Sequence, residues 1–434
     1  MAGWSRPEVT GIKNSKGKRQ KEGTGYQMSD KRKAFLIGIG MGNEGTLSAD
    51  ARKAIQESDC VIGAKRMLEA VHTDGKAVHC EYMPERIREI IASHPEYQKT
   101  AVLYSGDIGF YSGSKELYGL LKDLCEVKGI PGIASIVYLA AKLHVSWEDA
   151  RLVSIHGRKQ PYIHIVARHR KTFLLLGGSG QAEDFCSKIK DYSLTDLKIW
   201  IGKDLSYKDE SIVCRSGADI QPEDLQGLAV LYVENPSPMA KGVQIRDDAF
   251  IRGNVPMTKE EIRAVSLAKL ELSEGCVFYD IGAGTGSIAV TAAALYESAQ
   301  VYAIERKPEA AELIRQNRRK FCVDQVEVIE GTAPEALQDL KAPTHVFIGG
   351  SLGRLEGILR CIGEKSPSVR VVLNAITLET VKEALAAEEK GLLRDVEIIQ
   401  AGISRAKKVA DHHMMTAQNP IYIISARIAG KGIR

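Results

Sequence analysis

The strongest constraint on the fold of this chain is a glycine-rich turn between two apolar segments, within residues 276–305. Residues 276–281 are apolar enough to form a buried strand, and the turn GAGTG follows at residues 282–286. A helical stretch comes next, and then a second apolar segment that ends at Glu305, 23 residues after the first glycine. This order predicts a strand, a turn, a helix and a second strand, which is the arrangement of a βαβ unit.

The predicted unit has the features of a nucleotide-binding site. Glycines let a ligand approach the backbone closely, and the first turn of a helix leaves N–H donors without partners. The Glu305 carboxylate can accept both hydroxyls of a ribose. Because the turn lacks the last glycine of the dinucleotide fingerprint, a single nucleoside with a small cationic tail fits better than a pyrophosphate. We therefore predict S-adenosylmethionine (SAM) as the ligand; the alternative is an ordinary βαβ unit whose glycine turn binds nothing.

Length and charge limit the remaining possibilities. A chain of 434 residues is too long for one typical core, so two or three domains are expected. It contains no run of 18 apolar residues, and we expect no membrane association. Residues 1–33 carry nine Lys/Arg and three Asp/Glu, which leaves a charge of −2 on the rest of a chain whose total is +4. This near-neutral body argues against nucleic acid as a partner.

The first 33 residues lack the apolar segment of a secretory signal and predict a disordered basic tail, with Met28 as an alternative start. Eight cysteines are scattered along the chain without a Cys-x-x-Cys pair, as in a cytoplasmic protein with reduced thiols. The histidines have no cysteines at ligand spacing. We therefore expect no metal site.

Apolar runs and helical patterns divide the remainder into two halves. Residues 34–235 alternate short apolar runs with helical patterns, which predicts an α/β domain with a mainly parallel sheet. Residues 236–248 are polar, contain proline and predict a linker. In residues 249–434, a capping-box pattern at 258–261 predicts a helix that ends at Leu270. About seven apolar segments in this half predict an open, doubly wound sheet.

The first half contains three glycine loops that follow predicted strands. They lie at residues 38–45, 105–110 and 130–135. Ligands gather at the carboxyl ends of parallel strands. Three exposed backbone turns of this kind therefore indicate a second ligand site.

The motifs of the first half resemble those of a known family. The segments GIGMGNEG (38–45), SGDIGFYSG (105–113), GIPGIAS (129–135) and VSIHGR (153–158) occur in this order. Together they resemble the tetrapyrrole methylases of cobalamin biosynthesis, and among these the carbon-5 methyltransferases. The resemblance implies the tetrapyrrole methylase fold, which consists of two α/β lobes.

The motifs of the second half resemble those of a partner family. They are GNVPMTKEE (253–261), DIGAGTGS (280–287), AIE (303–305), EGTAP (330–334), FIGGS (347–351) and NAITLE (374–379). This set resembles the carbon-15 methyltransferases and decarboxylases, whose domain is Rossmann-like. Both sets in tandem resemble the fused precorrin-6Y methyltransferases. The resemblance implies methylation of precorrin-6B or cobalt-precorrin-6B at carbons 5 and 15, with decarboxylation of the carbon-12 acetate.

The resemblance also implies one SAM per half, and it identifies the residues in contact with each. Those of the first half are Met41, Ser105, Gly106, Asp107, Phe110, Ala134 and Ser135. Those of the second half are Thr258, Gly282, Ala283, Gly284, Thr285, Gly286, Glu305 and Ala333. Three positions depart from the family pattern, since Met41 and Ile108 stand where proline is common and Thr332 where aspartate is common. The missing prolines predict looser SAM binding in the first half, and Thr332 predicts weaker adenine recognition unless its hydroxyl replaces the lost acceptor.

No catalytic acid or base is predicted, because alignment of a carbon nucleophile with the methyl group supplies much of the acceleration. The candidates for contact with the tetrapyrrole substrate are His156, Arg158, Gly349, Gly350, Ser351 and Arg354. The alternatives are a surface turn for the first two and a solvated helix residue for Arg354.

Three other functions remain open at this point: an RNA methyltransferase, a SAM-binding scaffold without activity, and a methylase that acts at another ring carbon. The relatives suggest a homo-oligomer. The motifs do not decide whether the substrate carries cobalt.

Overall fold

The computed structural model describes residues 32–155, 160–177, 180–227, 229–242 and 244–429. Residues 1–31 of the predicted tail lie outside this part of the chain, as do the substrate-contact candidates His156 and Arg158. The described residues form two compact units. The first comprises residues 32–39 and 47–132, and the second comprises residues 40–46 and everything described from 133 onward.

The first unit contains a five-stranded sheet in which every neighbouring pair is parallel. Its strands are β1 (Lys33–Gly38), β2 (Cys60–Gly63), β3 (Ala77–Cys80), β4 (Lys99–Tyr104) and β5 (Glu126–Ile130), in the order β3-β2-β4-β1-β5. Its helices are α1 (Ala49–Gln56), α2 (Lys65–Leu68), α3 (Pro84–Ser93) and α4 (Ser114–Leu121). Two apolar clusters contain side chains of alternate residues of β1, so both faces are covered, as a parallel sheet requires.

The second unit begins with a different kind of sheet. Its strands are β6 (Arg151–Ser154), β7 (Lys171–Leu175), β8 (Lys198–Lys203), β9 (Ser211–Ser216) and β10 (Ala229–Glu234), in the order β6-β7-β10-β8-β9. Its helices are α5 (Ser135–Leu143), α6 (Ile163–Arg168) and α7 (Gln181–Asp191). Only β6 and β7 are parallel, so the prediction of a mainly parallel sheet is wrong here. The connection between β8 and β9, residues 204–210, is too short for a parallel crossover.

A seven-stranded sheet follows in the same unit, as predicted. Its strands are β11 (Val277–Ile281), β12 (Gln300–Glu305), β13 (Val326–Glu330), β14 (His345–Ile348), β15 (Arg370–Ala375), β16 (Leu393–Ala401) and β19 (Ile421–Ile428). The order is β13-β12-β11-β14-β15-β19-β16, and only β19 is antiparallel to its neighbours. The helices are α8 (Glu260–Leu270), α9 (Ser287–Leu295), α10 (Pro308–Lys320), α11 (Leu355–Lys365) and α12 (Leu378–Glu389).

A two-stranded hairpin lies between β16 and β19 in the chain. It consists of β17 (Ser404–Val409) and β18 (His412–Ala417), and all twelve of its strand residues are exposed. The apolar and polar periodicity of the sequence did not predict it, because the hairpin buries no face.

The start of α8 differs from the predicted capping box. Its N-cap is Lys259, and no side chain caps the helix. Instead the fully buried Arg263 donates hydrogen bonds to the Thr258 carbonyl at 2.8 Å, to Asp247 Oδ1 at 3.1 Å and to the Ile245 carbonyl. Burial lowers the pKa of Arg263. The end of the predicted linker is therefore anchored to α8 by a buried ion pair.

A buried polar contact joins residues on the two sides of the predicted linker. The Asp324 carboxylate accepts the backbone N–H groups of Tyr162, Ile163 and His164 at 2.8, 3.0 and 3.0 Å, and His164 Nδ1 lies 2.6 Å from its Oδ1. Asp324 thus caps α6. At the other end of this helix, the buried Arg168 donates to the Cys322 carbonyl at 2.8 Å. The described residues of 133–235 therefore belong to the same compact unit as those of 249–429.

Candidate active site

The glycine turn after β11 has a backbone that only glycine adopts easily. Gly282, Gly284 and Gly286 have φ angles of 73°, 59° and 76°, in the left-handed region. A Cβ atom on Gly284 would lie 2.8 Å from the Pro256 carbonyl oxygen, and one on Gly282 would lie 3.0 Å from the Gly350 nitrogen. The turn therefore combines positive φ with close approach of two other loops, and it leads directly into α9.

Glu305 lies at the end of β12 and is 8 % exposed. Its Oε2 accepts the Gly284 N–H at 2.9 Å. Its Oε1 accepts the N–H groups of Arg306 and Lys307 at 2.9 and 3.0 Å. The carboxylate therefore connects the glycine turn to the beginning of α10, in addition to its predicted role toward a ribose.

Asp280, within β11, was not among the predicted site residues. It is 1 % exposed, and its Oδ2 accepts the Ala289 N–H at 2.9 Å. Burial and, to a smaller extent, the charge of Glu305 raise its pKa to about 7, against the opposing effect of the Ala289 hydrogen bond. The available sequence signal was a carboxylate in an otherwise apolar strand, directly before the glycine turn.

The residues around the turn fit SAM. Two buried oxygen atoms there, Asp280 Oδ1 and Thr285 Oγ1, have no hydrogen-bond partner among the described residues. A ligand with an amino group supplies the donors that such oxygens lack. SAM also carries an electrophilic methyl group, which is the group that it transfers when bound. Among the other predicted contacts, Ala333 is buried, and Thr258 lies before α8 with its carbonyl bound to Arg263.

The substrate-contact candidates after β14 lie beside this turn. The Gly349 N–H donates to the Ile281 carbonyl at 2.8 Å, and Gly350 is the residue that approaches Gly282. Ser351 is 7 % exposed, and its hydroxyl donates to Glu383 Oε2 at 3.3 Å. The structure therefore brings residues 349–351 next to the glycine turn, at the carboxyl edge of the sheet.

Arg354 already has an anionic partner. Its Nη1 donates to Glu335 Oε2 at 2.9 Å, and its Nη2 donates to Oε1 of the same carboxylate. These bonds raise the pKa of Arg354 and lower that of Glu335. A substrate carboxylate at Arg354 would have to replace Glu335.

The candidates within the first unit lie where strands β1, β4 and β5 end. Asp107 accepts the Gly109 N–H at 2.8 Å through Oδ1 and the Gly132 N–H at 3.0 Å through Oδ2. A Cβ on Gly132 would lie 2.2 Å from the Gly106 carbonyl oxygen. Ser105 is exposed, and the Phe110 ring makes an edge contact with the Tyr111 ring. Asp107 thus holds two glycine loops together, and its side chain supports the loop backbone.

The remaining candidates of the first half belong to the second unit. Met41 and Ala134 are 7 % and 6 % exposed, and Ser135 begins α5 behind Ala134 as its N-cap. Next to Met41, Gly42 has a φ of 102°, and a Cβ on it would lie 2.2 Å from the Tyr207 hydroxyl. Asn43 Nδ2 also donates to the Ser206 carbonyl, so the loop around Met41 is tightly packed against residues 206–207.

Among the described residues, no group of three or more His, Cys, Asp or Glu side chains has the arrangement that a metal ion needs. None of the helices in the described ranges combines the length and apolar character of a membrane span.

Comparison with known proteins agrees with both sets of motifs. The family of tetrapyrrole (corrin/porphyrin) methylases matches residues 33–220, and the family described as precorrin methyltransferase domain matches residues 248–427. A precorrin-6Y C(5,15)-methyltransferase [decarboxylating] from a Sinorhizobium species is 30 % identical over 387 residues, covering 85 % of this chain and 91 % of the relative. The chain belongs to the precorrin-6Y C(5,15)-methyltransferase family. It is thus a SAM-dependent methyltransferase of cobalamin biosynthesis, in a family whose reaction includes decarboxylation.

Two further relatives of this precorrin-6Y methyltransferase family member are shorter and cover less than half of the chain. A probable cobalt-precorrin-6B C(15)-methyltransferase (decarboxylating) from Pyrobaculum calidifontis is 40 % identical over 186 residues, covering 42 % of this chain and 94 % of the relative. The crystal structure of a precorrin-6Y C5,15-methyltransferase from Geobacter metallireducens is 38 % identical, with a TM-score of 0.40, covering 42 % of this chain and 96 % of that chain.

Proposed function

We propose that this chain is bifunctional and methylates precorrin-6B or cobalt-precorrin-6B at carbons 5 and 15, with decarboxylation of the carbon-12 acetate. The observation that carries the proposal is the Sinorhizobium relative, which spans 85 % of the chain and carries both positions in its name. The two family matches in tandem, at 33–220 and 248–427, support it.

The proposed division of labour follows from the shorter relatives. Proteins described as C(15)-methyltransferases (decarboxylating) cover 42 % of this chain, a span about as long as the precorrin methyltransferase domain match at residues 248–427. We therefore assign carbon 15 and the decarboxylation to residues 249–434, carbon 5 to residues 34–235, and one SAM to each. Residues 236–248 are the proposed linker. The strand order of the seven-stranded sheet supports a doubly wound, Rossmann-like second domain, and the separate five-stranded sheets support two lobes in the first.

In the second half, the residues of this chain bind the cofactor and the substrate and orient them relative to each other. The glycine turn exposes backbone to the cofactor, and Glu305 fixes that turn through the Gly284 N–H. Gly349, Gly350 and Ser351 carry no large side chain, so a flat substrate can approach the turn closely. Alignment of its reacting carbon with the methyl group supplies much of the rate. Decarboxylation needs the acetate in a poorly solvated place, which closely packed loops provide.

The test is mass spectrometry of the products formed from SAM and either precorrin-6B or cobalt-precorrin-6B. We expect two added methyl groups and the loss of one carbon dioxide. A product with one methyl group, formed while both cofactor sites are occupied, would contradict the bifunctional assignment.

We also propose a homo-oligomer in a reducing compartment such as the cytoplasm, with no nucleic-acid partner. The exposed hairpin β17–β18 presents Met414 and Met415, which are 58 % and 67 % exposed, and supports self-association. All eight cysteines are free thiols, which supports the compartment. The near-neutral charge of residues 34–434 supports the absence of a nucleic-acid partner. Light scattering during gel filtration measures the oligomeric state, and a monomer would contradict the proposed homo-oligomer.

A further inference from the structure

Three large aliphatic side chains are exposed beside the glycine turn of the second half. Leu352, Ile376 and Leu378 are 61 %, 68 % and 69 % exposed. Leu352 follows β14, and the other two follow β15, the neighbouring parallel strand. All three therefore lie at the carboxyl edge of the sheet, where Gly282 and Gly350 meet. Aliphatic side chains of this size are usually buried, so a cluster at this edge calls for a ligand.

The backbone holds these side chains in their exposed positions. Leu352 has a φ of 52°, in the left-handed region that a branched side chain rarely adopts. Thr377 turns its hydroxyl back to accept the Thr380 N–H at 3.4 Å, and so caps α12 between Ile376 and Leu378. Strain of this kind persists where the surroundings impose it, and it concentrates at ligand sites.

A hydrogen bond connects the loop after β14 to α12. Ser351, next to Leu352, donates to Glu383, which lies in α12 behind Leu378. A Cβ atom on Gly353 would lie 3.7 Å from Glu383 Oε1. The loop after β14 and the start of α12 therefore form one continuous surface beside the glycine turn.

This surface also contains a cation. Lys382 lies one helical turn after Leu378, on the same side of α12, and it is exposed. Within the residues that the structure describes, it forms no ion pair. Arg354, by contrast, is bound to Glu335. Glu379 and Glu383 are the nearby anions on α12, and Glu383 is bound to Ser351.

We propose that Leu352, Ile376 and Leu378 form an apolar platform for the flat face of the tetrapyrrole, and that Lys382 binds one of its peripheral carboxylates. The inference rests on the proposed function of the second half. A macrocycle is broad, flat and apolar at its centre and anionic at its rim. The platform has the same distribution of apolar and charged groups, next to the residues that fit SAM.

The test replaces the three platform residues together in the full chain, as Leu352→Asn, Ile376→Thr and Leu378→Gln. Asparagine tolerates positive φ, and glutamine is a good helix former, so we expect the fold to persist. The matched control is Ile398→Thr, since Ile398 is also exposed but lies within β16, outside α12 and the loops after β14 and β15. Substrate KM, SAM KM and kcat are measured from released carbon dioxide.

We expect the KM for the tetrapyrrole to rise about tenfold or more in the triple variant, with kcat and the SAM KM within about twofold. Uroporphyrin, an octacarboxylate tetrapyrrole, serves as a second probe, and its affinity from fluorescence titration should fall in parallel. Lys382→Gln should raise the substrate KM and weaken the dependence of this KM on salt. Lys382→Arg should keep the parental substrate KM and the parental dependence on salt. The Ile398→Thr control should match the parent.

A failure of the platform proposal can be distinguished from a failure of the proposed function. If the parent releases carbon dioxide and the triple variant keeps the parental substrate KM and uroporphyrin affinity, the platform is wrong and the function stands. If the parent forms no decarboxylated product, the proposed function is wrong and the platform falls with it.

Discussion

Glu305 has a structural role and a proposed role toward the ribose, and substitutions test the two separately. Its carboxylate holds the Gly284, Arg306 and Lys307 N–H groups, so Glu305→Ala removes structural hydrogen bonds together with the proposed ribose contacts. Glu305→Gln keeps an acceptor in place and is the milder variant.

We predict that Glu305→Ala lowers SAM affinity in the second half roughly 10- to 150-fold, since hydrogen bonds to an ionised acceptor contribute about 1.5–3 kcal/mol. Calorimetric titration of the full chain should then show one of its two binding events weakened and the other unchanged. Glu305→Gln should lose less affinity and keep the parental melting temperature. If both binding events in Glu305→Ala kept the parental SAM affinity, Glu305 would not be part of the cofactor site.

Asp280 makes stability depend on pH. Its pKa is raised to about 7 in the folded chain, above the unfolded value of about 3.9. The folded chain therefore binds this proton more tightly, so the Asp280 contribution to stability falls as pH rises from about 4 to about 7. We predict that Asp280→Asn, neutral throughout, raises the melting temperature relative to the parent more at pH 8 than at pH 5. Equal differences at both pH values would show that Asp280 ionises without a penalty.

Helix α6 depends on a cap from a distant part of the chain. No side chain of its own caps it, and Asp324 supplies the acceptor for three backbone N–H groups. Although burial opposes ionisation, hydrogen bonds from His164 and the backbone hold the pKa of Asp324 below its usual range. Its stabilisation is therefore complete above about pH 4 and is lost as pH falls through the lowered folded value.

We predict that Asp324→Ala lowers the unfolding free energy by about 1–3 kcal/mol at pH 7, because three N–H groups lose their acceptor. Asp339→Ala, at an exposed aspartate, is the control and should change stability by less than about 0.5 kcal/mol. Chemical denaturation measures both. The difference between the two variants should shrink at acidic pH; a constant difference would contradict the role of the Asp324 charge.

The whole chain should not separate into two freely diffusing halves. The linker at 236–248 is polar, but α6 and residues 321–324 form buried hydrogen bonds across it. Most of residues 236–246 are exposed and accessible to a protease. We predict that cleavage there yields two fragments that elute together in gel filtration. Arg168→Ala, which leaves two carbonyl groups without their donor, should promote their separation. Fragments that separate in the parent would show two independent domains.

Sequence alone determined the features that depend on local backbone geometry and short motifs. The glycine turn, Glu305 at the end of β12 and the seven strands of the last sheet follow from apolar runs and from turns that only glycine permits. Family motifs located the loops at 105–110 and 349–351 in the same way. These features depend on residues close together in the chain.

Only the tertiary structure decided which distant groups meet. Antiparallel pairing of β10 with β7 and β8, the cap of α6 by Asp324, and the pairing of Arg354 with Glu335 join residues that no local pattern relates. The exposure of Leu352 and Leu378 is a similar case, because an aliphatic residue in the sequence predicts burial by default. Packing determines whether such a side chain is covered, and packing depends on all the elements that surround it.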